Sequence, residues 1–215
     1  MSRYKLVLFD MDGTLLKDKG IFVIAEKKGF IDELERLIKD NTKEFYKRSI
    51  DIAKLSKGFT KKEYLDIFRT IPLQDHAETV IKELKKRKIT TAIVTDSYQF
   101  LADDLKKRLG IDYAFGNNLV TNGDVITGEL MMYNKDLTEE FYSGKIYSIC
   151  KSCVLDQLCK ELGITEKEVI AVGDGRIDAG MIKKAELGIA INGPEELQKI
   201  ADVVTSDLRV ILDYI

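Results

Sequence analysis

The stretch LVLFDMDGT at Leu6–Thr14 joins an apolar run to two acidic residues and a glycine. A short continuous apolar run of this kind is typical of a strand buried on both faces of a parallel sheet. Asp10 and Asp12 then lie at the carboxyl end of that strand, where open α/β sheets bind their ligands. Because two neighbouring buried carboxylates repel each other, a cation or a shared proton must compensate them. The stretch therefore predicts a metal site or a catalytic pair of acids, although an isolated Asp-x-Asp more often caps a turn.

Similar apolar runs recur along the chain and alternate with segments whose apolar residues have helical spacing. The further runs are Thr91–Thr95, Val169–Val172, Leu187–Ile191 and Val203–Thr205. The helical segments are Glu78–Arg87, Leu101–Leu109, Val154–Leu162, Asp178–Ala185 and Glu195–Ile200. Strands that alternate with helices in this way predict an α/β fold with a doubly wound, mostly parallel, Rossmann-like sheet.

Two segments interrupt the alternation. Residues 17–71 have no strand pattern but a charged helical one, which predicts an all-helical cap inserted into a core formed by residues 1–16 and 72–215. The second interruption is Leu119–Tyr133, where Asn122-Gly123 separates two runs of β character and predicts a hairpin turn. The polar and aromatic segment Asn134–Ser148 receives no assignment.

Charge and composition exclude several classes of function. The 215 residues include 34 Lys and Arg and 36 Asp and Glu, a formal net charge of −2, so we expect neither a nucleic-acid nor a membrane partner. The longest apolar runs are far shorter than the roughly 20 residues that cross a bilayer, and we expect a cytoplasmic protein. The three cysteines, Cys150, Cys153 and Cys159, are an odd number in one segment and do not indicate a disulfide framework.

Polar residues also follow other predicted strands. Thr95 ends the second strand, and Asp96-Ser97 is predicted to open the next helix, where hydroxyl and backbone N–H groups bind anions. Lys151 begins another helical segment, and Gly173-Asp174-Gly175 ends the third clear strand, with Asp178 four residues further on. Each feature alone is commonplace. Three of them lie at the carboxyl ends of parallel strands, so they are expected to converge on one site.

Together these motifs resemble the haloacid dehalogenase superfamily of aspartate-nucleophile phosphohydrolases. Asp10–Thr14 is similar to its first motif, Thr95 to the second, Lys151 to the third and Gly173–Asp178 to the fourth. The interval between Asp10 and Thr95 leaves room for a helical cap, and that between Lys151 and Asp174 spans one helix and one strand. Within the superfamily the core looks most like the phosphoserine phosphatase branch, whereas the cap resembles it only loosely.

The resemblance implies roles for the motif residues. Asp10 would attack phosphorus and form an aspartyl-phosphate, and Asp12 would act as general acid and base. Mg²⁺ would be held by Asp10, the main-chain carbonyl of Asp12, and Asp174. Thr95 and Lys151 would bind the phosphoryl oxygens, Lys151 also offsetting developing charge. Asp178 would orient Lys151 or a metal-bound water.

The chain departs from that branch around the predicted site. Ile177 stands where the fourth motif usually has Asn, and Asp96-Ser97 where the branch has a Gly-Gly pair. Lys19 aligns with an acidic residue that would pair with a substrate ammonium group, so it would favour an acidic or hydroxylated leaving group instead. Arg48 is the candidate for the carboxylate-binding arginine of the branch. With Asp96 and Ser97, these two cations complete the predicted substrate-binding residues.

We therefore expect a Mg²⁺-dependent phosphatase that acts on a small phosphorylated metabolite. A phosphotransferase or phosphomutase with the same chemistry is one alternative. A catalytically weak protein that binds phosphorylated metabolites is another, motivated by Ile177 and the altered second motif. The sequence indicates neither the identity of the substrate nor the oligomeric state.

Overall fold

The computed structural model describes residues 3–215 and contains one seven-stranded sheet. Its strands are β1 (Leu6–Phe9), β2 (Thr90–Tyr98), β3 (Tyr113–Asn122), β4 (Val125–Met131), β5 (Val169–Gly173), β6 (Leu187–Ile191) and β7 (Val203–Thr205). They lie in the order β4-β3-β2-β1-β5-β6-β7. Every neighbouring pair is parallel except β3 and β4, which form the antiparallel hairpin. The predicted doubly wound, mostly parallel α/β fold is confirmed.

Nine α-helices connect the strands in the described part of the chain. They are α1 (Gly20–Lys28), α2 (Ile31–Lys39), α3 (Phe45–Lys54), α4 (Lys61–Phe68), α5 (Ala77–Lys86), α6 (Gln99–Leu109), α7 (Lys151–Leu162), α8 (Ala179–Lys184) and α9 (Glu195–Gln198). None of the helices within residues 3–215 combines the length and apolar character needed to cross a membrane.

The central strand β1 is buried on both faces, as its continuous apolar run predicts. Leu6 and Leu8 belong to an apolar cluster that includes the buried side chains of α7 and α8. Val7 and Phe9 belong to a second cluster that includes those of α5 and α6. Full burial of one such side chain contributes about 1.5–3 kcal/mol to folding. The carboxyl ends of β1, β2 and β5 are thereby held at one edge of a rigid sheet.

Four helices, α1–α4, occupy the segment predicted as a cap. Their buried residues Leu34, Tyr64 and Phe68 join the apolar cluster on the α5 side of the sheet. The fourth of these helices begins with a capping box, in which Thr60 and Glu63 satisfy each other's backbone N–H groups. The β3–β4 hairpin contacts this segment through backbone hydrogen bonds, which position the helices over the edge of the sheet where β1 ends.

The prediction that Asp96 and Ser97 open a helix is wrong. Strand β2 continues to Tyr98, and α6 begins only at Gln99. The extension depends on β3, because Tyr98 pairs with Asn117, whose side-chain Nδ2 donates to the carbonyl oxygen of Asp96 at 2.7 Å. The strand β3 itself begins at Tyr113, before the predicted hairpin. Asp96 and Ser97 therefore lie in a strand end rather than at a helix N-terminus.

The cysteines do not form a disulfide framework that links distant segments, but Cys150 and Cys153 form one local disulfide that the sequence did not indicate. Cys150 precedes the first residue of α7, and Cys153 lies on its first turn. A separation of three residues across a helical turn brings their Cα atoms to 5.2 Å, within the usual range for disulfides. Cys159 is a free, buried cysteine.

The unassigned segment Asn134–Ser148 contains neither helix nor strand and is ordered by side-chain hydrogen bonds. Asn134 Nδ2 donates to the carbonyl oxygens of Thr138 and Tyr147 at 2.9 and 3.0 Å. The buried carboxylate of Glu140 accepts from backbone N–H groups of the following turn. The segment thus leads the chain to the start of α7, where Lys151 lies.

Candidate active site

The loop after β1 is a tight turn that places Asp10 and Asp12 beside the loop after β5. Gly13 adopts a φ of +89°, a conformation that favours glycine. A Cβ atom at this position would lie 2.3 Å from Oδ2 of Asp174. Only a glycine allows the two loops to approach this closely, and the approach brings Asp174 next to the acids of the first motif.

A buried lysine joins the acids of the first and fourth motifs. The Nζ atom of Lys151 donates to Oδ1 of Asp10 and to Oδ1 of Asp178, both at 2.5 Å. Asp178 Oδ2 accepts the backbone N–H groups of Asp174 and Gly175 at 3.0 and 2.8 Å. Because both oxygens of Asp178 have donors, this residue fixes the lysine and the loop after β5.

The shared burial of these acids makes their ionisation costly. Burial raises the pKa of Asp10 to about 6, with Asp174 adding to the effect and Lys151 opposing it. Burial likewise raises the pKa of Asp178 to about 6 and that of Asp174 above its ordinary range. Burial opposes the charge of Lys151, but the attraction of Asp10 and Asp178 outweighs it and raises the pKa of its ammonium group. The ammonium group of Lys151 therefore stays charged, and its single positive charge is too little to neutralise the three carboxylates of Asp10, Asp174 and Asp178 when they are ionised.

Asp12 has a different environment, beside the first residue of α1. Its Oδ1 accepts a hydrogen bond from the backbone N–H of Gly20, the first residue of α1, at 2.5 Å. Burial and the charge of Asp10 raise the pKa of Asp12 to about 7, and the Gly20 hydrogen bond lowers it in part. A carboxyl group that titrates near neutral pH can both donate and accept a proton.

The described carboxylates include a set that could hold a cation. Oxygen atoms of Asp10, Asp174 and Asp178 lie within 4.8 Å of one another. Both oxygens of Asp178 already accept hydrogen bonds, so Asp10 and Asp174 are the better placed ligands. An all-oxygen donor set with raised pKa values suits a hard divalent cation such as Mg²⁺.

A cavity of about 680 Å³ opens above these acids. The core contributes the polar end, with Asp10, Asp12, Asp96, Ser97 and Asp174 in its wall. The helical segment contributes a largely apolar wall formed by Ile21, Phe22, Ile38, Phe45 and Ile52, with Lys19, Arg48 and Ser49 among them. Such a cavity has the size and composition of a small-molecule site, which commonly spans about 300–1,000 Å³.

The structure brings most of the predicted site residues to this cavity. Lys19 and Arg48 line its helical wall, and Asp96 and Ser97 lie at its core end. Thr95 is fully buried and does not line the cavity, and its Oγ1 accepts a hydrogen bond from the backbone N–H of Ser97 at 3.1 Å. Ile177 adds an apolar side chain to the wall beside Asp174.

Sequence reasoning missed several residues of the wall. Asn192 directly follows β6 and lines the cavity, and the rule that ligands bind after parallel strands would have found it. Tyr147 also lines the cavity but comes from the unassigned segment. The backbone N–H of Gly20 was missed as well, because a main-chain contact leaves no signature in residue type.

The sheet carries acids gathered around one lysine at its edge, and the proteins it resembles place a chain with this arrangement among the α/β phosphoric monoester hydrolases. A family model described as haloacid dehalogenase-like hydrolase matches residues 4–186. The chain belongs to this family, and its relatives place it in the phosphoserine phosphatase branch.

Two archaeal phosphoserine phosphatases illustrate the similarity. The chain is 32% identical to that of Methanocaldococcus jannaschii over 222 residues, covering 100% of this chain and 99% of that protein. It is 31% identical to that of Archaeoglobus fulgidus over 201 residues, covering 92% of this chain but 55% of that protein. The chain thus spans about half the length of the second relative.

Two solved structures of phosphoserine phosphatases have a fold similar to that of this chain. A substrate-bound phosphoserine phosphatase complex superposes with a TM-score of 0.84 at 31% identity, covering 99% of this chain and 98% of that chain. A phospho-aspartyl intermediate analogue of phosphoserine phosphatase superposes with a TM-score of 0.83 at 31% identity, covering 99% of both chains. The likeness extends over core and helical segment alike.

Proposed function

We propose that this chain is a Mg²⁺-dependent phosphatase that hydrolyses a small phosphate monoester through an aspartyl-phosphate on Asp10. The observation that carries the proposal is the contact of Asp10 with Lys151 at 2.5 Å, where Asp10 lines the polar core end of a cavity whose wall also includes Asp12 and Asp174. A carboxylate and an ammonium group held together there provide a nucleophile and a counter-charge for the phosphoryl oxygens.

Asp10 is the nucleophile in this proposal. Its Oδ1 is bound by Lys151, which leaves Oδ2 to attack phosphorus. Lys151 neutralises part of the charge on the phosphoryl oxygens as the bond to the leaving oxygen breaks. Asp178 is a positioning residue, because it binds the lysine from the other side and keeps it pointing at Asp10.

Asp12 is the general acid and base. Its pKa of about 7 allows it to protonate the leaving oxygen and then to deprotonate the attacking water. The hydrogen bond from Gly20 fixes Oδ1, so the other carboxyl oxygen carries the proton. Because Gly20 begins α1, closure of the helical segment and the placement of the acid are linked.

Mg²⁺ is expected to be held by Asp10, the main-chain carbonyl of Asp12, and Asp174. When bound, the ion neutralises charge on the transferring phosphoryl group. Asp96 and Ser97 lie at the core end of the cavity. They are proposed to contact the phosphoryl group, and so is Thr95, which is buried directly behind Ser97 and accepts its backbone N–H. The negative charge that would bind the ion comes from the carboxylates of this chain, three of which have oxygen atoms within 4.8 Å of one another.

Residues 17–71 are proposed to act as a cap over a core formed by residues 1–16 and 72–215. The cap helices contribute most of the apolar wall of the cavity, and covering the site would exclude bulk water. A site enclosed in this way favours a small phosphorylated metabolite over a protein substrate. Although Ile177 replaces a polar residue, Asp174 and Asp178 remain beside Asp10, so no contact favours a binding protein without activity. No contact of the described residues favours a phosphotransferase either.

The test measures phosphate release from p-nitrophenyl phosphate with Mg²⁺ and with EDTA, together with mass spectrometry of acid-quenched enzyme. We expect Mg²⁺-dependent release and a phosphoryl group on the peptide that contains Asp10. The D10N variant should fold and show neither. A D75N variant changes an exposed aspartate paired with Lys17 and serves as the control. Phosphate release by D10N at the wild-type rate would refute the proposal.

A further inference from the structure

We propose that Lys19 makes this enzyme selective for phosphate monoesters whose alcohol carries an anionic group and no ammonium group. The inference rests on the proposed function and specifies its substrate class. The ligand would be a phosphorylated hydroxy acid rather than a phosphorylated amino acid.

The backbone next to Lys19 is fixed at the leaving-group side of the site. Gly20, the next residue, donates its N–H to Oδ1 of Asp12. Asp12 is the group proposed to protonate the leaving oxygen, so the residue before Gly20 lies close to where the alcohol departs. Lys19 precedes the first residue of α1 with extended backbone angles, and its side chain lines the cavity.

The charge of Lys19 acts on the catalytic end of the cavity. Its Nζ lies 3.7 Å from Oδ2 of Asp174. The side chain is nevertheless 54% exposed, so it can turn from Asp174 toward a ligand.

The helical wall around Lys19 offers a substrate cation no partner. Of the described residues of the segment 17–71 that line the cavity, none is acidic. The ionisable ones are Lys19 and Arg48, and the Nε atom of Arg48 is buried without a hydrogen-bond partner in the described structure. A ligand ammonium group facing this wall would meet like charge, which is a common means of rejecting a wrong partner.

The acidic residues of the cavity all belong to the core. Asp10 is bound to Lys151 and Asp12 to the N–H of Gly20, while Asp174 faces Lys19. Asp96 is the remaining acid, and it belongs to strand β2 rather than to the helical segment 17–71. An ammonium group on the alcohol would therefore lie on the side of the cavity where the charges are positive.

The test compares two substrates that differ only by the ammonium group, phosphoserine and 3-phosphooxypropanoate, with propyl phosphate as a third that lacks both charges. We expect kcat/KM for 3-phosphooxypropanoate to exceed that for phosphoserine by about tenfold or more, and to exceed that for propyl phosphate. In K19M the preference over phosphoserine should disappear, and in K19E it should reverse.

The matched control is K17E, because Lys17 is exposed and pairs with Asp75 at 2.7 Å outside the cavity. Its preference among the three substrates should equal that of the wild type. A wild-type preference for phosphoserine, or a preference unchanged in K19M, would overturn the proposal and leave Lys19 as a counter-charge for Asp174. Hydrolysis of p-nitrophenyl phosphate separates this outcome from failure of the proposed function, which would abolish that activity also.

Discussion

The ammonium group of Lys151 lies 2.5 Å from the carboxylate of Asp10, and neither side chain is more than 6% exposed. Burying this ion pair costs the desolvation free energy of both groups, and the pair is maintained because each charge compensates the other, which would otherwise be a buried, unpaired charge. The lysine serves two acids, since Asp178 binds it at the same distance. Its removal would leave both acids without a counter-charge.

The K151M variant should consequently lose activity and, at pH 8, about 3–5 kcal/mol of its free energy of unfolding. The loss should shrink at pH 5, because Asp10 and Asp178 can then be protonated and no longer need the cation. Urea unfolding at the two pH values measures the difference. K160M, which changes an exposed lysine on the same helix, is the control. An equal loss at both pH values would contradict this account.

The metal-free protein should become less stable between pH 5 and pH 8. The pKa values of Asp10, Asp12 and Asp178 are about 6, 7 and 6, against about 3.9 in an unfolded chain. In this interval the folded protein binds more protons than the unfolded one, so the free energy of unfolding falls as pH rises. Glu63 and Asp207, with pKa values of about 2, are ionised in both the folded and the unfolded chain above pH 5. Their contribution to stability is therefore constant between pH 5 and pH 8 and does not oppose the fall in the free energy of unfolding.

Thermal unfolding in EDTA and in Mg²⁺ across this interval tests the expectation. Protons and the cation compete for the same carboxylates, so the rise in Tm that Mg²⁺ produces should be larger at pH 8 than at pH 5. In D12N the part of the decline that occurs near pH 7 should be absent. A Tm in EDTA that increases from pH 5 to pH 8 would show that these acids do not titrate as proposed.

The parts of this fold that sequence predicts well are those fixed by local pattern. The apolar run of β1 and the acids that follow it need no distant partner, and the strand bounds Leu6–Phe9 match the prediction. Asp10 and Asp174 were expected to converge because both follow parallel strands. Asp174 lies next to the turn at Gly13, as a shared strand edge requires.

The parts that sequence predicts poorly depend on distant contacts. The end of β2 extends past Thr95 because Asn117 pairs with Tyr98 and binds the carbonyl of Asp96. The contact of Gly20 with Asp12 forms only when the helical segment folds over the sheet. Neither the extension of β2 nor the Gly20 contact can be read from the residue types around Asp96 or Asp12, because each depends on how another segment of the chain packs against them.

The D12N variant should slow the chemical step while retaining the fold. An amide cannot protonate the leaving oxygen or accept a proton from water, and loss of such a group commonly costs about 10²–10⁴-fold. The amide oxygen can still accept the hydrogen bond of Gly20. Rapid-quench measurement of the phosphoryl-enzyme should show that D12N, relative to the wild type, slows its formation more with an alkyl ester than with p-nitrophenyl phosphate, whose leaving group needs no proton. An equal effect on both substrates would assign Asp12 a purely structural role.

The close approach of the loops after β1 and β5 can be tested at Gly13. A Cβ atom in G13A would lie 2.3 Å from Oδ2 of Asp174, so Asp174 must move. The matched control is G58A, because Gly58 has a φ of +90° but no atom within 4 Å of the added Cβ. Both variants should lose about 1–2 kcal/mol of stability through backbone strain.

Only G13A should also weaken Mg²⁺ binding and activity, by about tenfold or more, because it displaces a proposed ligand. Isothermal titration with Mg²⁺ and steady-state kinetics distinguish the two effects. If G13A and G58A bind Mg²⁺ with the same affinity, Asp174 is not a ligand. The carboxylates that remain to hold the cation are then those of Asp10 and Asp178. The pair of variants therefore separates the strain of the turn from the geometry of the site.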